Sequence, residues 1–255
     1  MILAAYQVAA KIFAAAGWSE DQLRTVACIA EDTAYPLTDV QGDWVMFNGS
    51  NPSGNALTVI LNSIVNVLYM MMSYYNLNPN QSLDGFFDLV ALITYGDDNA
   101  MGVSKSIPWF NHTSIAGYLE TIGVIYTMAD KGAESVPYIS INELSFLKRR
   151  FVVEGDKVRA PLEWASIDKM LTKCVKSKSI GPEAQAIDTI RSAVGEFYEY
   201  GRDVFEVNVR KMKAIVDECC LNDFVKPSTF PTFEELEAKY YEHSSKCSVC
   251  PPQCE

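Results

Sequence analysis

Basic residues are scarce in this chain. Lys and Arg number 21 against 32 Asp and Glu in 255 residues, a formal net charge of -11. That excludes indiscriminate binding to nucleic acid over the whole surface, although local basic patches remain open. Glycine and proline are also few, at 14 and 11, which excludes collagen-like and low-complexity disordered classes. No internal repeat of the kind a solenoid needs is present. The seven cysteines, Cys28, Cys174, Cys219, Cys220, Cys247, Cys250 and Cys254, are odd in number and unevenly spaced. They argue against a secreted disulfide framework and for a reducing compartment. The opening MILAAYQVAAKIFAAAGW has neither a basic leader nor a clear cleavage site and is interrupted by Gln7 and Lys11, so it reads as a buried helix rather than a signal peptide. What the chain does have is a 49% hydrophobic and 21% charged composition, enough for the core of one domain or two small ones.

The longest apolar run, Ala56 to Tyr75, has the length of a membrane span. Asn62, Ser63 and Asn66 lie inside it and no basic residue flanks it closely, so a core helix is expected and no membrane-spanning segment. Charge divides the chain unevenly: residues 1–144 carry a net -10, 145–180 a net +5, and 181–255 a net -6. Only the middle stretch has the footprint of a phosphate-binding surface, and a solvated face accounts for its charge equally well.

Gly17 ends a first helix, and Ser19 is a plausible cap for a second that runs to about Asp32. PLTDV-QGD-WVMFNG alternates around a glycine turn and predicts a hairpin before the long helix. FFDLVALIT, broken by YGDD and resumed as NAMGV, predicts a second hairpin whose first strand is buried on both faces. Asn111 caps a predicted helix through Thr121, GVIYT reads as a strand, and INELSFLKRRFVVEGDKVRAPL reads as a further hairpin turning at Glu154 to Lys157. Helices are expected at about 164–175, 182–200, 203–220 and 233–243. Strands first and helices later predict an α+β fold: a unit of antiparallel strands and helices over 1–160, then a helical subdomain over 161–246. Residues 247–255 form a Cys-rich tail.

Asp97 and Asp98 follow a strand read as buried, so ionised carboxylates there call for a cation or strong donors. Gly96 permits the positive φ of a tight turn, and alternation of side chains assigns Asp97 to face the metal with Asp98 in support. An ordinary Asp-rich turn explains a lone GDD as well. Thr58, Asn62 and Asn66, four apart, form a polar stripe on an otherwise apolar helix, for a ligand or for a satisfied buried network. Ser53 and Gly54 precede the helix, where unpaired N–H groups favour a phosphate; capping alone would also explain Ser53. At the C-terminus His243, Cys247, Cys250 and Cys254 offer soft ligands around a CxxC core. Their compact, unusual spacing favours reduced thiols over a zinc site.

These pieces, in this order, resemble the RNA-dependent RNA polymerases of picorna-like positive-strand RNA viruses. NPSGNALTVILNSIVN resembles the family's motif B, with Ser53, Gly54, Thr58 and Asn62 at the expected offsets. LITYGDDNAMGV resembles motif C, YTMADKGAE motif D with its lysine at Lys131, and LSFLKRRF motif E with Lys148 and Arg149. The resemblance implies a right-hand polymerase, palm followed by helical thumb, that performs template-directed nucleotidyl transfer with two Mg²⁺, or Mn²⁺, held by Asp97 and Asp98. It implies that Ser53, Gly54, Thr58 and Asn62 recognise nucleotide and ribose, that Lys131 acts as a proton donor near pyrophosphate, and that Tyr95, Lys148 and Arg149 contact primer and RNA. Its implied partners are template, primer, nucleoside triphosphates and the remainder of a replicase polyprotein, in replication complexes of the host cytoplasm.

The family's motif A aspartates and its basic fingers have no counterpart here: Asp21, Asp32, Asp39 and Asp43 match neither the spacing nor the strand context. The resemblance therefore implies a C-terminal fragment, and the isolated chain is expected to bind Mg²⁺ weakly and not to polymerise. Two other readings stand beside this one. A non-catalytic RNA-binding or replicase-assembly module would use the basic stretch alone, and a reverse transcriptase also carries paired aspartates on a hairpin. Asn62 and the glycine before Asp97 favour the RNA polymerase.

Overall fold

The computed structural model describes residues 1–49, 51 and 55–246, and the chain divides into two compact units, Met1–Ser140 and Ile141–Glu255. The first unit opens with α1 (Ile2–Ala15) and α2 (Glu20–Ala34). Ser19 begins α2 with a capping box: its Oγ accepts from Gln22 N at 3.4 Å, while Gln22 Oε1 accepts from Ser19 N at 2.8 Å. The hairpin β1 (Leu37–Val40) and β2 (Asp43–Met46) follows. It turns at Gln41 and Gly42, both with positive φ, and Asp39 Oδ1 accepts from Gly42 N at 2.7 Å.

Helix α3 (Thr58–Leu77) is the spine of this unit. It packs on α1, on α5 (His112–Thr121) and on β3 (Val90–Tyr95). Its Leu61 joins a cluster with Ala5, Tyr6, Val26 and Ala30, while its Met70 and Tyr74 join another with Phe86, Val90, Phe110, Ile115 and Leu119. Each large side chain so buried stabilises by about 1.5–3 kcal/mol relative to exposure, so two cores lean on one helix. Among the described residues α3 alone is long and apolar enough to cross a membrane, and its buried face is taken up by these contacts.

Three local expectations are corrected. Phe86–Leu89 form a helical turn, α4, before β3, rather than the start of the strand. Among the described residues β3 pairs only with β4 (Asp98–Val103), and one of its faces is uncovered: Ile93 is 52% and Tyr95 53% exposed. Double burial, inferred from an unbroken apolar run, would require a layer on each face. GVIYT forms no strand, because among the described residues no neighbouring strand offers it a ladder; Ile125 is 89% exposed.

The second unit begins with two hairpins where the sequence suggested one. These are β5 (Ser145–Phe146) with β6 (Arg149–Arg150), and β7 (Val152–Glu154) with β8 (Lys157–Arg159). Helices α6 (Trp164–Thr172), α7 (Pro182–Tyr198), α8 (Arg202–Glu218) and α9 (Phe233–Lys246) follow close to their expected places. Their core holds Ile167, Ile187, Val194, Phe197, Phe205, Val216 and Phe233. The expected junction near residue 160 would leave the hairpins with the preceding strands, yet they are bound to these helices. Arg159 Nη1 donates to Tyr198 O at 3.1 Å, Ala160 N to Glu199 Oε2 at 2.9 Å, and Lys157 Nζ to Glu237 Oε1 at 2.7 Å and to the Tyr198 hydroxyl.

Lys157 is buried, its Nζ 4.6 and 4.7 Å from the ring centroids of Tyr198 and Tyr240. Burial pulls its pKa down, but the hydrogen bonds to Glu237 and Tyr198 outweigh that and leave it above the ordinary lysine value. A raised folded-state pKa means that this stabilisation is complete below the ordinary lysine pKa and is lost as pH rises through the folded one. Removing one partner of a buried pair costs more than replacing the charge itself by an apolar chain. Glu237→Ala should therefore destabilise the second unit by about 1–3 kcal/mol, and Lys157→Met by less. Denaturant midpoints at neutral pH check the order, and the gap between wild type and Lys157→Met should narrow in strongly alkaline buffer.

Candidate active site

The β3–β4 ribbon turns on two residues, Gly96 and Asp97, between the paired Tyr95 and Asp98. Gly96 has φ 63° while Asp97 keeps a negative φ, the pattern of a II′ hairpin turn, which needs glycine at its first position. The expected positive φ at Gly96 is therefore present. The carboxylates, however, are not buried: Asp97 is exposed and Asp98 half-buried. The need for a cation, argued from double burial of β3, loses that support, because water can solvate both groups.

What holds the turn is the polar flank of α3. Asn66 Nδ2 sits 3.3, 3.0 and 3.3 Å from the carbonyl oxygens of Gly96, Asp97 and Asp98 and donates to them. Its Oδ1 accepts from Asn99 Nδ2 at 2.8 Å. Ser63 Oγ accepts from Gly96 N at 2.8 Å and donates to Val59 O at 2.8 Å. The three carbonyls form a concentrated patch of negative dipole, and the Asn66 amide, with two hydrogens, serves them by sharing its donors among the three oxygens. Asn66 belongs to the stripe read from the sequence but not to the expected site, and Ser63 and Asn99 were missed. A four-residue spacing exposes a stripe without saying which member reaches a distant turn.

One helical turn earlier, Asn62 Oδ1 accepts from Asn51 Nδ2 at 2.9 Å, and that same Nδ2 approaches Thr58 O at 3.4 Å. Thr58 is the first residue of α3. Ser53 and Gly54 lie outside the described residues, so the phosphate site expected there is not described. Thr58 and Asn62 lie on the same helix as Asn66 and Ser63, which hold the turn of Asp97 and Asp98, with Tyr95 exposed beside the turn. Lys131 is exposed on a loop in which Gly132 N donates to Asp130 Oδ1 at 3.0 Å.

Lys148 and Arg149 belong to the second unit, described by itself. Leu147 and Lys148 make the β5–β6 turn with φ 54° and 60°, a conformation costly for residues that carry a Cβ. Lys148 is exposed at this tip. Arg149, expected to contact RNA, is engaged within the unit. Its guanidinium grips Glu196 through two bonds of 2.8 Å, and Nη1 also donates to Ala160 O at 2.8 Å. Hydrogen bonding to Glu196 outweighs burial and raises its pKa, so it acts as a fixed, committed cation.

Residues 7–194 match the family model described as viral RNA-dependent RNA polymerase. The chain belongs to that family. The genome polyprotein of rice tungro spherical virus (strain A) is 33% identical over 214 residues, covering 78% of this chain and 6% of that protein. The replicase polyprotein of Drosophila C virus (strain EB) is 31% identical over 169 residues, 63% of this chain and 10% of that protein. Among solved structures, the Sicinivirus 3Dpol RNA dependent RNA polymerase matches with a TM-score of 0.64 at 21% identity, covering 86% of this chain and 43% of that one. That likeness establishes the α+β polymerase fold. The picorna-like polymerase resemblance read from the motifs is thus borne out, and the chain spans less than half of the solved polymerase and a tenth or less of these polyproteins.

Polymerases of this family use divalent metal ions. Two adjacent aspartates offer hard oxygen ligands of the right kind, and among the described residues no group of three or more His, Cys, Asp or Glu converges on a metal position. Two carboxylates by themselves do not complete the ligand set of a divalent ion. Of the zinc candidates, Cys247, Cys250 and Cys254 lie outside the described residues.

Asn66→Ala should destabilise the first unit by about 1–3 kcal/mol, because the partly buried carbonyls of the turn lose the amide donor they share and Asn99 loses its acceptor. Asn62→Ala, whose amide is half-buried, should cost less; thermal melts of the two variants measure the difference.

Proposed function

We propose that this chain is the part of a viral RNA-directed RNA polymerase that presents the catalytic aspartates, for template-directed nucleotidyl transfer in viral RNA replication. The observation that carries the reading is the fastening of the Gly96–Asp98 turn to the polar flank of α3 by Asn66 and Ser63, in a chain of this family. That contact fastens the turn of Asp97 and Asp98 to the helix that carries Asn62, which supports reading the aspartates as metal ligands and Asn62 as facing the sugar. Palm is the reading for the first unit, with its motifs B to D, and thumb for the helices of the second. The hairpins over 145–159 pack on the thumb helices.

Asp97, with Asp98 in support, would hold Mg²⁺ or Mn²⁺, which supplies charge neutralisation at phosphate. Asn62 with Thr58, Ser53 and Gly54 would select the ribose. Asn51 Oδ1 is buried with no hydrogen-bond partner among the described residues, an acceptor beside Asn62 that suits a sugar hydroxyl. Lys131 would deliver a proton to departing pyrophosphate. Lys148 and Tyr95 would contact RNA, while Arg149 acts by anchoring the hairpin that presents Lys148. Template, primer and nucleoside triphosphates are the partners, with the rest of a replicase polyprotein, in replication complexes of the host cytoplasm.

In a polymerase that contains this chain, Asp97→Asn should lower nucleotide incorporation by about a thousandfold and leave RNA affinity unchanged. Near-normal turnover would overturn the metal assignment. A wild-type enzyme that binds RNA but incorporates nothing would favour a binding module instead, and preference for deoxyribonucleotides a reverse transcriptase. Lys148→Ala should weaken RNA binding and reduce the slope of log affinity against log salt by about one unit, whereas a surface lysine that touches no phosphate would leave the slope alone. Fluorescence titrations at several salt concentrations read the slope.

A further inference from the structure

Tyr126, Asn99 and Asn66 form a one-way hydrogen-bond chain into the aspartate turn. The Tyr126 hydroxyl donates to Asn99 Oδ1 at 2.8 Å, and Asn99 Nδ2 donates to Asn66 Oδ1 at 2.8 Å. Asn66 Nδ2 donates to the carbonyls of residues 96 to 98. The direction is imposed by chemistry. Carbonyls only accept, so Asn66 must turn its NH₂ toward them and its oxygen toward Asn99. Asn99 must then present its own NH₂ to Asn66, which leaves its oxygen to be satisfied by a donor, and the phenol is the group that ends the chain. Burial, the largest influence, raises the Tyr126 pKa, with Asp98 adding to the rise and the bond to Asn99 opposing it, so the hydroxyl keeps its proton near neutral pH.

Tyr126 is also the near anchor of the loop that carries Lys131. Its ring stacks on His112 at 4.8 Å between centroids and 25° between planes. His112 holds the far end of that loop: Nδ1 lies 2.8 Å from Ser135 Oγ, and the backbone N donates to Pro137 O at 3.2 Å. Thr113 Oγ1, 3.1 Å from Ser135 Oγ, reinforces the far anchor. The lysine loop and the aspartate turn are thereby joined through one phenol.

We propose that Tyr126 is a positioning residue: acting through Asn99 and Asn66, it fixes the orientation of the Gly96–Asp98 turn and ties the Lys131 loop to it. This inference rests on the polymerase reading for its catalytic meaning. Tyr126→Phe keeps the ring and its stack on His112 and removes only the donor. In NMR spectra of the 255-residue chain, that variant should shift the backbone amides of Gly96, Asp97 and Asp98 and the side-chain amides of Asn66 and Asn99, leaving the second unit unmoved. In a polymerase that contains the chain, the divalent-ion concentration for half-maximal incorporation should rise about three- to tenfold with RNA affinity unchanged, since one hydrogen bond is lost. Asn99→Ala should give a similar shift, and the double variant no more than the larger single one, because both cut the same chain. Turn resonances that stay put in Tyr126→Phe, or additive effects, would overturn the tether with the polymerase reading intact. A wild-type enzyme that incorporates nothing would remove the polymerase reading and the positioning role together.

Discussion

A single buried amide, Asn66, decides where the acidic turn sits. It occupies the ridge of α3 between Leu61, which belongs to one core, and Met70 and Tyr74, which belong to the other. An apolar residue there would continue the ridge, but it would take from the partly buried carbonyls of Gly96, Asp97 and Asp98 the amide donor they share. An asparagine satisfies them and passes its remaining acceptor to Asn99. The helix is thus placed by its apolar face and the turn by its polar one, so that the packing which folds the unit also presents the carboxylates.

The outer surfaces of the first unit show the opposite condition. Leu37, Trp44 and Met46 of the first hairpin and Ile93 and Tyr95 of β3 stand exposed. All eight strand residues of the first hairpin are exposed, and β3 is covered on alternate residues only, so these apolar side chains have nothing to pack on within the described residues. Asp97, exposed at the turn of the β3–β4 ribbon, keeps its hydration, so burial supplies no demand for a cation there.

In the second unit the basic character of residues 145–180 is partly neutralised from within. Arg149 and Lys157 pair with Glu196 of α7 and Glu237 of α9 and bind the hairpins to those helices, while Arg159 pairs with Glu154 inside the β7–β8 hairpin. Lys148, Arg150, Lys169, Lys173, Lys176 and Lys178 are exposed to solvent, so the surface available to a phosphate backbone is smaller than the local charge suggests. Adjacent residues illustrate the division: Lys148 sits at a turn tip and faces water, while Arg149, one position on, points back to Glu196.

Local sequence determined what depends on local physics. The Ser19 and Asn111 caps, the Gln41-Gly42 and Gly96-Asp97 turns, the long apolar helix and the four late helices all follow from residue types at short spacing, and all are present. The polymerase resemblance was legible for the same reason, since its motifs are runs of neighbouring residues. Tertiary structure decided the rest: that β3 is covered on one face only, that GVIYT has no partner strand, that the hairpins belong with the helices after them, that Arg149 serves Glu196, and that Asn66 rather than Asn62 grips the turn. Each of these depends on which distant group arrives at a given side chain, and residues 30 or 47 positions apart in the chain meet only after the cores have formed.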